Sequence, residues 1–295
     1  MARSAPVAPV PSMEDRTVVI TGGNSGIGLE TSVALAGAGA RLVLGCRNPD
    51  KAEAAVAEIR RRSGNESVES RPLDLADLTT VRTFADSLSD LDRIDVLINN
   101  AGLILGERTM SAQGYEATFA TNHLGPFLLT GLLDEQLRAA DRARIINVAS
   151  FAHTMAPTGI QWSQVERRPR YQGWTVYGQS KLANILHARA LAARYEDSGV
   201  VAHSLHPGSI RSGFGQDGDL HGFSDRLLKI GAFVLISPEE GSRTSVHLAS
   251  SPDALTSSGD YWVRARRSRP APWGRDDAQA EKLWATSERM ISAVS

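Results

Sequence analysis

Cysteine is nearly absent from this 295-residue chain: Cys46 is the only one. That excludes an intramolecular disulfide framework and any cysteine-rich zinc or iron–sulfur site. No His/Asp/Glu grouping carries metal-ligand spacing either, so no metal is expected. Charge of one sign is also missing. Basic and acidic residues number 32 and 33, a net charge of −1, which gives no bulk attraction to nucleic acid or to an anionic membrane. Arg264–Arg269 (RARRSR) reads as a solvated turn. Long apolar runs are wanting as well. The stretch Leu227–Ile236 is interrupted by Lys229 and Gly231, and it falls far below the roughly 20 apolar residues of a membrane span. Residues 1–14 hold no signal-peptide core; their Ala/Pro composition suggests a flexible leader. A cytoplasmic location is the resulting expectation.

What is present suffices for a sizeable core, at 42% hydrophobic and 22% charged residues. Short apolar runs alternate with helical patterns. Strands are expected at Thr17–Ile20, Arg41–Cys46, Val68–Leu75, Ile94–Asn100, Arg144–Ser150, Val200–His206 and Asp260–Arg264. Helices are expected at Gly26–Gly37, Pro49–Arg62, Leu78–Leu88, Gln113–Arg138, Val176–Tyr195, Pro238–Ala249 and Asp277–Met290. Runs such as VLINN and RIINVAS lack in/out alternation, as strands covered on both faces do. The fold class follows: α/β, a doubly wound, Rossmann-type, mostly parallel sheet with helices on both faces. One domain is expected over residues 15–295. Two stretches break the rhythm, a substrate loop over 151–176 and a lid region over 209–236 that opens with the Gly-rich run Ser209–Phe223.

Thr21-Gly22-Gly23-Asn24-Ser25-Gly26-Ile27-Gly28 follows the first strand and opens the first helix. Gly22 permits a tight turn, Gly26 lets backbone approach a pyrophosphate, and Gly28 allows close helix–strand packing. The helix start offers unpaired N–H groups and a positive dipole end to phosphate. A tight turn without a ligand is the alternative. The second strand ends Gly45-Cys46-Arg47-Asn48, with no acid to select a ribose 2′-hydroxyl. Arg47 can fork onto a 2′-phosphate and Lys51 adds charge, which points to NADP(H); solvated charges at a helix start are the competing explanation. Cys46 reads as a buried strand thiol.

Tyr177-Gly-Gln-Ser-Lys181 places a phenol and an ammonium on one helix face. A nearby cation favours the phenolate, lowering a pKa that is ordinarily near 10. Such a phenol can donate a proton to a carbonyl oxygen or take one from an alcohol. The pattern is common by chance, but it has company at the carboxyl edge of the sheet, where ligands of open α/β sheets bind. Ser150 ends the fifth strand, where its hydroxyl could orient a substrate oxygen. Asn99-Asn100-Ala101-Gly102 ends the fourth, and Pro207-Gly208 closes the sixth where a nicotinamide would lie. Asn122 sits mid-helix, where one hydrogen bond to a neighbouring turn would explain it equally well.

These motifs (TGGNSGIG, GCRN, LDLA around Asp74, NNAG, NHLGPFLLT, RIINVAS, YGQSKLANIL, HPGSIRS and SPEEG) together resemble the short-chain dehydrogenase/reductase family. The similarity is greatest to the branch that holds retinol dehydrogenases and the WW-domain oxidoreductase. The resemblance implies a catalytic tetrad of Asn122, Ser150, Tyr177 and Lys181. Tyr177 is then the acid/base and Ser150 orients the carbonyl. Lys181 holds the nicotinamide ribose, and Asn122 anchors a water in a proton relay. It also places adenine near Asp74 and Leu75, a cofactor ribose near Asn100, and the carboxamide near Ile210 and Ser212. The implied activity is NADP(H)-dependent hydride transfer between nicotinamide and a carbonyl or alcohol. The apolar content of the two irregular regions suggests a lipophilic small-molecule substrate, though simple packing explains it too. A catalytically silent NADP(H)-binding sensor is the alternative; a light-driven protochlorophyllide-type reductase fits poorly, because Cys46 lies in the adenosine half. The family commonly self-associates through its two central helices, so a homo-oligomer is an open expectation, with neither nucleic acid nor membrane as partner.

Overall fold

The computed structural model describes residues 9–166, 171–208 and 236–294. An eight-stranded sheet forms its centre, in the order β3-β2-β1-β4-β5-β6-β7-β8. The strands are β1 (Thr17–Thr21), β2 (Arg41–Cys46), β3 (Val68–Pro72), β4 (Val96–Asn99), β5 (Arg144–Val148), β6 (Val201–His206), β7 (Tyr261–Val263) and β8 (Arg266–Ser268). The first seven run parallel, and β8 returns antiparallel on β7. Strand order reverses between β1 and β4, which opens a crevice beyond their carboxyl ends.

The strands lack alternation because both faces are buried. In β5, Ile145 enters one apolar cluster and Ile146 the other; in β4, Leu97 opposes Val96 and Ile98. Helices α1 (Gly26–Gly37), α2 (Pro49–Ser63) and α9 (Pro238–Ser250) cover one face. Helices α3 (Leu78–Ser87), α5 (Gly125–Leu132), α6 (Asp134–Arg138) and α8 (Gly173–Arg194) cover the other. The last helix, α10 (Asp277–Ser292), packs Ala280, Leu283 and Met290 against Leu182, Ala183 and Leu186 of α8. Among the described residues, no helix is long and apolar enough to cross a membrane, and no group of three or more His, Cys, Asp and Glu could hold a metal.

Three expectations need correction. The single helix expected over Gln113–Arg138 is broken into α4 (Ala117–Phe119), a π-helical turn (Ala120–Leu124), α5 and α6. Gln113 lies before any of them: its side chain accepts from Leu78 N (3.0 Å) and donates to Asp77 Oδ1 (2.9 Å), clamping the start of α3. The buried Glu116 carboxylate caps α4, accepting from the N–H groups of Thr118 and Phe119. Pro126 has no N–H to give the carbonyl of Asn122 four residues earlier, so a regular ladder cannot run through that turn. Secondly, the loop expected over 151–176 contains a 3₁₀ turn (Phe151–Met155), the short helix α7 (Trp162–Glu166) and the start of α8 at Gly173. Thirdly, the arginines of the arginine-rich segment are exposed, as in a solvated turn, but only Arg264 and Ala265, both at positive φ, form the turn; Arg266–Ser268 pair with β7 as β8.

Candidate functional site at the carboxyl edge

The glycine loop joins β1 to α1. Gly22 has φ +65° and donates its N–H to the Gly45 carbonyl at 2.8 Å, tying the turn to β2. Gly28 is the tight contact. A Cβ built there would lie 2.1 Å from the Gly22 carbonyl oxygen and 2.6 Å from Asn100 Nδ2. Gly26 is the opposite case, with φ +53° and nothing within 4 Å of a built Cβ. The start of α1 is left uncapped: Ser25 is extended (φ −158°) and makes no side-chain cap bond, and no acid lies in the first turn. By contrast, Asn48, Asp77, Ser237 and Asp276 cap α2, α3, α9 and α10. Orphan N–H groups beside open space at a positive helix end suit a phosphate anion. Asn24, Ser25, Gly26 and Ile27 supply that surface.

Cys46 lies beneath the loop. Burial pushes its thiol up to about 11, opposed by backbone N–H donors of Gly23 and Asn24. It is therefore a buried acceptor for the loop and not a nucleophile. Arg47 follows, exposed, at the end of β2, and Lys51 is exposed in the first turn of α2. Beside the end of β2, just beyond β3, Asp74 is half-buried, its Oδ1 accepting from Ala76 N at 3.0 Å, while the Leu75 side chain is buried.

Asn100 joins the loop to the rest of the site. Its Nδ2 donates to the carbonyls of Thr21 (2.9 Å) and Gly22 (3.1 Å), and the Asn100 and Ala101 N–H groups both donate to Thr21 Oγ1. Gly102 comes next. A Cβ at Gly102 would stand 3.0 Å from Lys181 Nζ and 3.2 Å from Asn122 Oδ1. The chain from Gly22 to Lys181 is thus one continuous set of contacts.

Lys181 is buried, donates to the Val148 carbonyl at 3.0 Å, and has its Nζ 5.5 Å from the centroid of the Tyr177 ring. Burial lowers its pKa to about 8. Tyr177 is 9% exposed, and its hydroxyl is hydrogen-bonded by the Ser150 hydroxyl. Here the expected acidic phenol is not what the structure holds. Burial pushes Tyr177 up to about 12, and the Ser150 bond only partly opposes this. The lysine faces the ring and the Val148 carbonyl, so desolvation outweighs its pull. Asn122 is clamped: its Oδ1 accepts from Leu103 N (2.8 Å), and its Nδ2 donates to Leu103 O and Ser180 Oγ, each at 2.9 Å. Pro207 and Gly208 follow the end of β6, and the Ile236 side chain fills the space that a Gly208 Cβ would take. Ile210, Ser212 and most of the lid region 209–236 lie outside the described residues.

A scan against family models matches residues 16–219 to the short chain dehydrogenase family. The chain belongs to the short-chain dehydrogenase/reductase family. Human retinol dehydrogenase 13 is 38% identical over 280 residues, covering 94% of this chain and 84% of its own length. Human retinol dehydrogenase 12 is 39% identical over 277 residues, covering 94% and 86%. A solved uncharacterised protein of Mycobacterium paratuberculosis is 33% identical, with a TM-score of 0.76 and 96% of each chain covered. The chain is a hydride-transfer oxidoreductase of the retinol dehydrogenase-like branch, acting on CH–OH or C=O groups with a nicotinamide cofactor.

Sequence reasoning missed several contributors. Thr21 opens the glycine-loop motif and Ser180 lies within the Tyr177–Lys181 motif, but the sequence gives neither hydroxyl a role; here Thr21 Oγ1 accepts from the Asn100 and Ala101 N–H groups and Ser180 Oγ accepts from Asn122 Nδ2. His153 and His206 carry no sequence signal of their own, because Ala271 N and Phe151 N, which donate to their rings, lie 118 and 55 residues away. Gly28→Ala is expected to displace the Gly22 carbonyl and weaken nicotinamide-cofactor binding by about tenfold or more. Fluorescence titration with the reduced cofactor checks this; an unchanged Kd would refute the packing role assigned to Gly28.

Proposed function

We propose that this protein is an NADP(H)-dependent oxidoreductase of lipophilic aldehydes, ketones or the matching alcohols, with Tyr177 as acid/base. The observation that carries the reading is the Ser150–Tyr177 hydroxyl pair, joined to the glycine loop through Lys181, Gly102 and Asn100. A bound nicotinamide supplies the hydride, and the protein supplies position and electrostatics. Gly22, Asn24, Ser25, Gly26, Ile27 and Gly28 would hold the pyrophosphate. Asp74 and Leu75 would flank adenine, while Asn100, Ala101, Gly102, Tyr177, Lys181, Pro207 and Gly208 would line the nicotinamide half.

Ser150 accepts from Ala152 N at 3.1 Å, which leaves its one proton for Tyr177 here, or for a substrate oxygen once substrate is bound. A phenol held near 12 stays protonated at neutral pH, so it is poised to give its proton to a developing alkoxide. The reverse direction needs the phenolate, and the Lys181 ammonium is the nearby cation that favours it. Asn122 fixes the backbone at Leu103 and the hydroxyl of Ser180, keeping this wall of the cleft in register.

Substrate character follows from the rim. Phe151, Met155 and Trp174 are 64%, 48% and 40% exposed, and they flank Ser150 and Tyr177 in the chain. Trp174 meets the Tyr177 ring edge-on at 6.0 Å. Exposed apolar side chains gathered beside a reactive pair favour a lipophilic ligand. For the cofactor, Arg47 at the end of β2 favours a 2′-phosphate, since a guanidinium forks onto phosphate and no acid stands there to take a 2′-hydroxyl.

Tyr177→Phe is expected to retain NADPH binding and to lose turnover by about a hundredfold or more, the contribution of a positioned proton donor. Steady-state assays with a panel of lipophilic aldehydes and ketones decide it, and near-normal turnover would refute the role. Arg47→Asp is expected to shift the ratio of kcat/KM for NADPH over NADH toward NADH by about tenfold or more. An unmoved ratio would remove the NADP(H) assignment.

A further inference from the structure

Ser150 sits at the mouth of a turn held by side chains as well as by its own backbone, the Ser150 carbonyl accepting from His153 N at 3.2 Å. Its backbone is extended (φ −158°, ψ 158°) as it enters the 3₁₀ turn Phe151–Met155. The N–H groups that open such a turn have no partner within it. Here Phe151 N donates to His206 Nδ1 at 3.2 Å, and Ala152 N donates to Ser150 Oγ at 3.1 Å. The Ser150 carbonyl lies 2.7 Å from His153 Nδ1. His153 is only 2% exposed. On its other side, Ala271 N donates to His153 Nε2 at 3.0 Å, and Trp273 Nε1 donates to the His153 carbonyl at 2.9 Å. The Tyr261 ring closes the pocket edge-on, 5.4 Å away.

These partners fix the tautomer. A backbone N–H can only donate, so Nε2 must present its lone pair to Ala271. A neutral ring then carries its proton on Nδ1, where the Ser150 carbonyl can only accept. Burial lowers the His153 pKa, which keeps the ring neutral. The ring therefore transmits the position of the segment at Ala271–Trp273 to the peptide of Ser150, more than a hundred residues away.

We propose that His153 is a positioning residue for the reaction: its Nδ1–H, fixed as a donor by Ala271 at Nε2, holds the Ser150 peptide so that the serine hydroxyl faces Tyr177. This rests on the reading that Ser150 and Tyr177 perform the chemistry. A small displacement of a reacting group is enough to cost a large factor in rate. The two halves of the ring can be tested apart. In His153→Asn the amide nitrogen takes the place of Nδ1, keeping the donor to Ser150 and losing the acceptor for Ala271. In His153→Gln the amide oxygen reaches the place of Nε2, keeping the acceptor and losing the donor. Each variant gives up one buried hydrogen bond, so a purely structural role lowers Tm alike and leaves the same rate in both.

The experiment measures Tm, the NADPH Kd, kcat and KM for wild type and both variants with one lipophilic aldehyde. The positioning role predicts similar Tm losses and an unchanged NADPH Kd in both. It predicts kcat within about threefold of wild type for His153→Asn and reduced about tenfold or more for His153→Gln. Equal rates in the two variants, or losses that merely track Tm, would overturn it. Nitrogen-15 NMR of the wild-type histidines gives a readout that needs no variant: His153 is expected as the neutral Nδ1–H tautomer, and an Nε2–H tautomer would also overturn the proposal. A wild-type protein that binds NADPH but turns over no carbonyl would instead overturn the reading beneath it.

Discussion

The close packing of Gly28 on the Gly22 carbonyl, with the Asn100 amide wedged beside both, is the constraint from which the site is built. It sets the start of α1 directly over the end of β1 and aims uncapped N–H groups into the crevice. The same Asn100 fixes where β4 ends. Ala101 and Gly102 follow immediately, and Gly102 leaves the space in which Lys181 and Asn122 approach. A side chain at either glycine would separate the two halves of the cleft. Small residues here act as spacers that let polar groups from four elements meet.

Around that framework, buried polar side chains reach partners on distant elements. The Val148 carbonyl accepts from both Lys181 Nζ and Asn184 Nδ2, joining α8 to β5 just before Ser150. Asn99 and Asn147 pair across β4 and β5 at 2.9 Å, and Asn147 continues to the Asn184 carbonyl. Such networks rigidify a core when their members are paired. They explain how a serine on a turn and a tyrosine on a 22-residue helix hold one geometry. They also explain the elevated phenol and the depressed lysine: a site rigid and dry enough to position these groups also desolvates them.

Much of this was legible in the sequence, for identifiable reasons. Strands buried on both faces write themselves as unbroken apolar runs, and IINV and VLIN did so. The glycine loop was legible because its spacing encodes backbone geometry. Tyr177 and Lys181 were legible because a helical turn fixes their relation. The acidity of the phenol was not, since it depends on burial and on where the ammonium points. The break at Asn122 was hidden because the helical periodicity continues through it; Pro126, four residues on, was the signal available. His153 was invisible as a support because its partners, Ser150 O and Ala271 N, are backbone atoms brought together only by the fold. The β7–β8 hairpin escaped because two non-glycine residues, Arg264 and Ala265, occupy the left-handed positions that usually announce such a turn.

The central claim is that a hydride crosses this cleft to a carbonyl carbon while the protein holds the oxygen. The most direct measurement uses NADPH deuterated at C4 on either face, purified protein and a lipophilic aldehyde, with the alcohol analysed by mass spectrometry. The account predicts one deuterium on the carbinol carbon from one face only. An alcohol without deuterium from either labelled form, or no alcohol from any aldehyde or ketone despite NADPH binding, would contradict it.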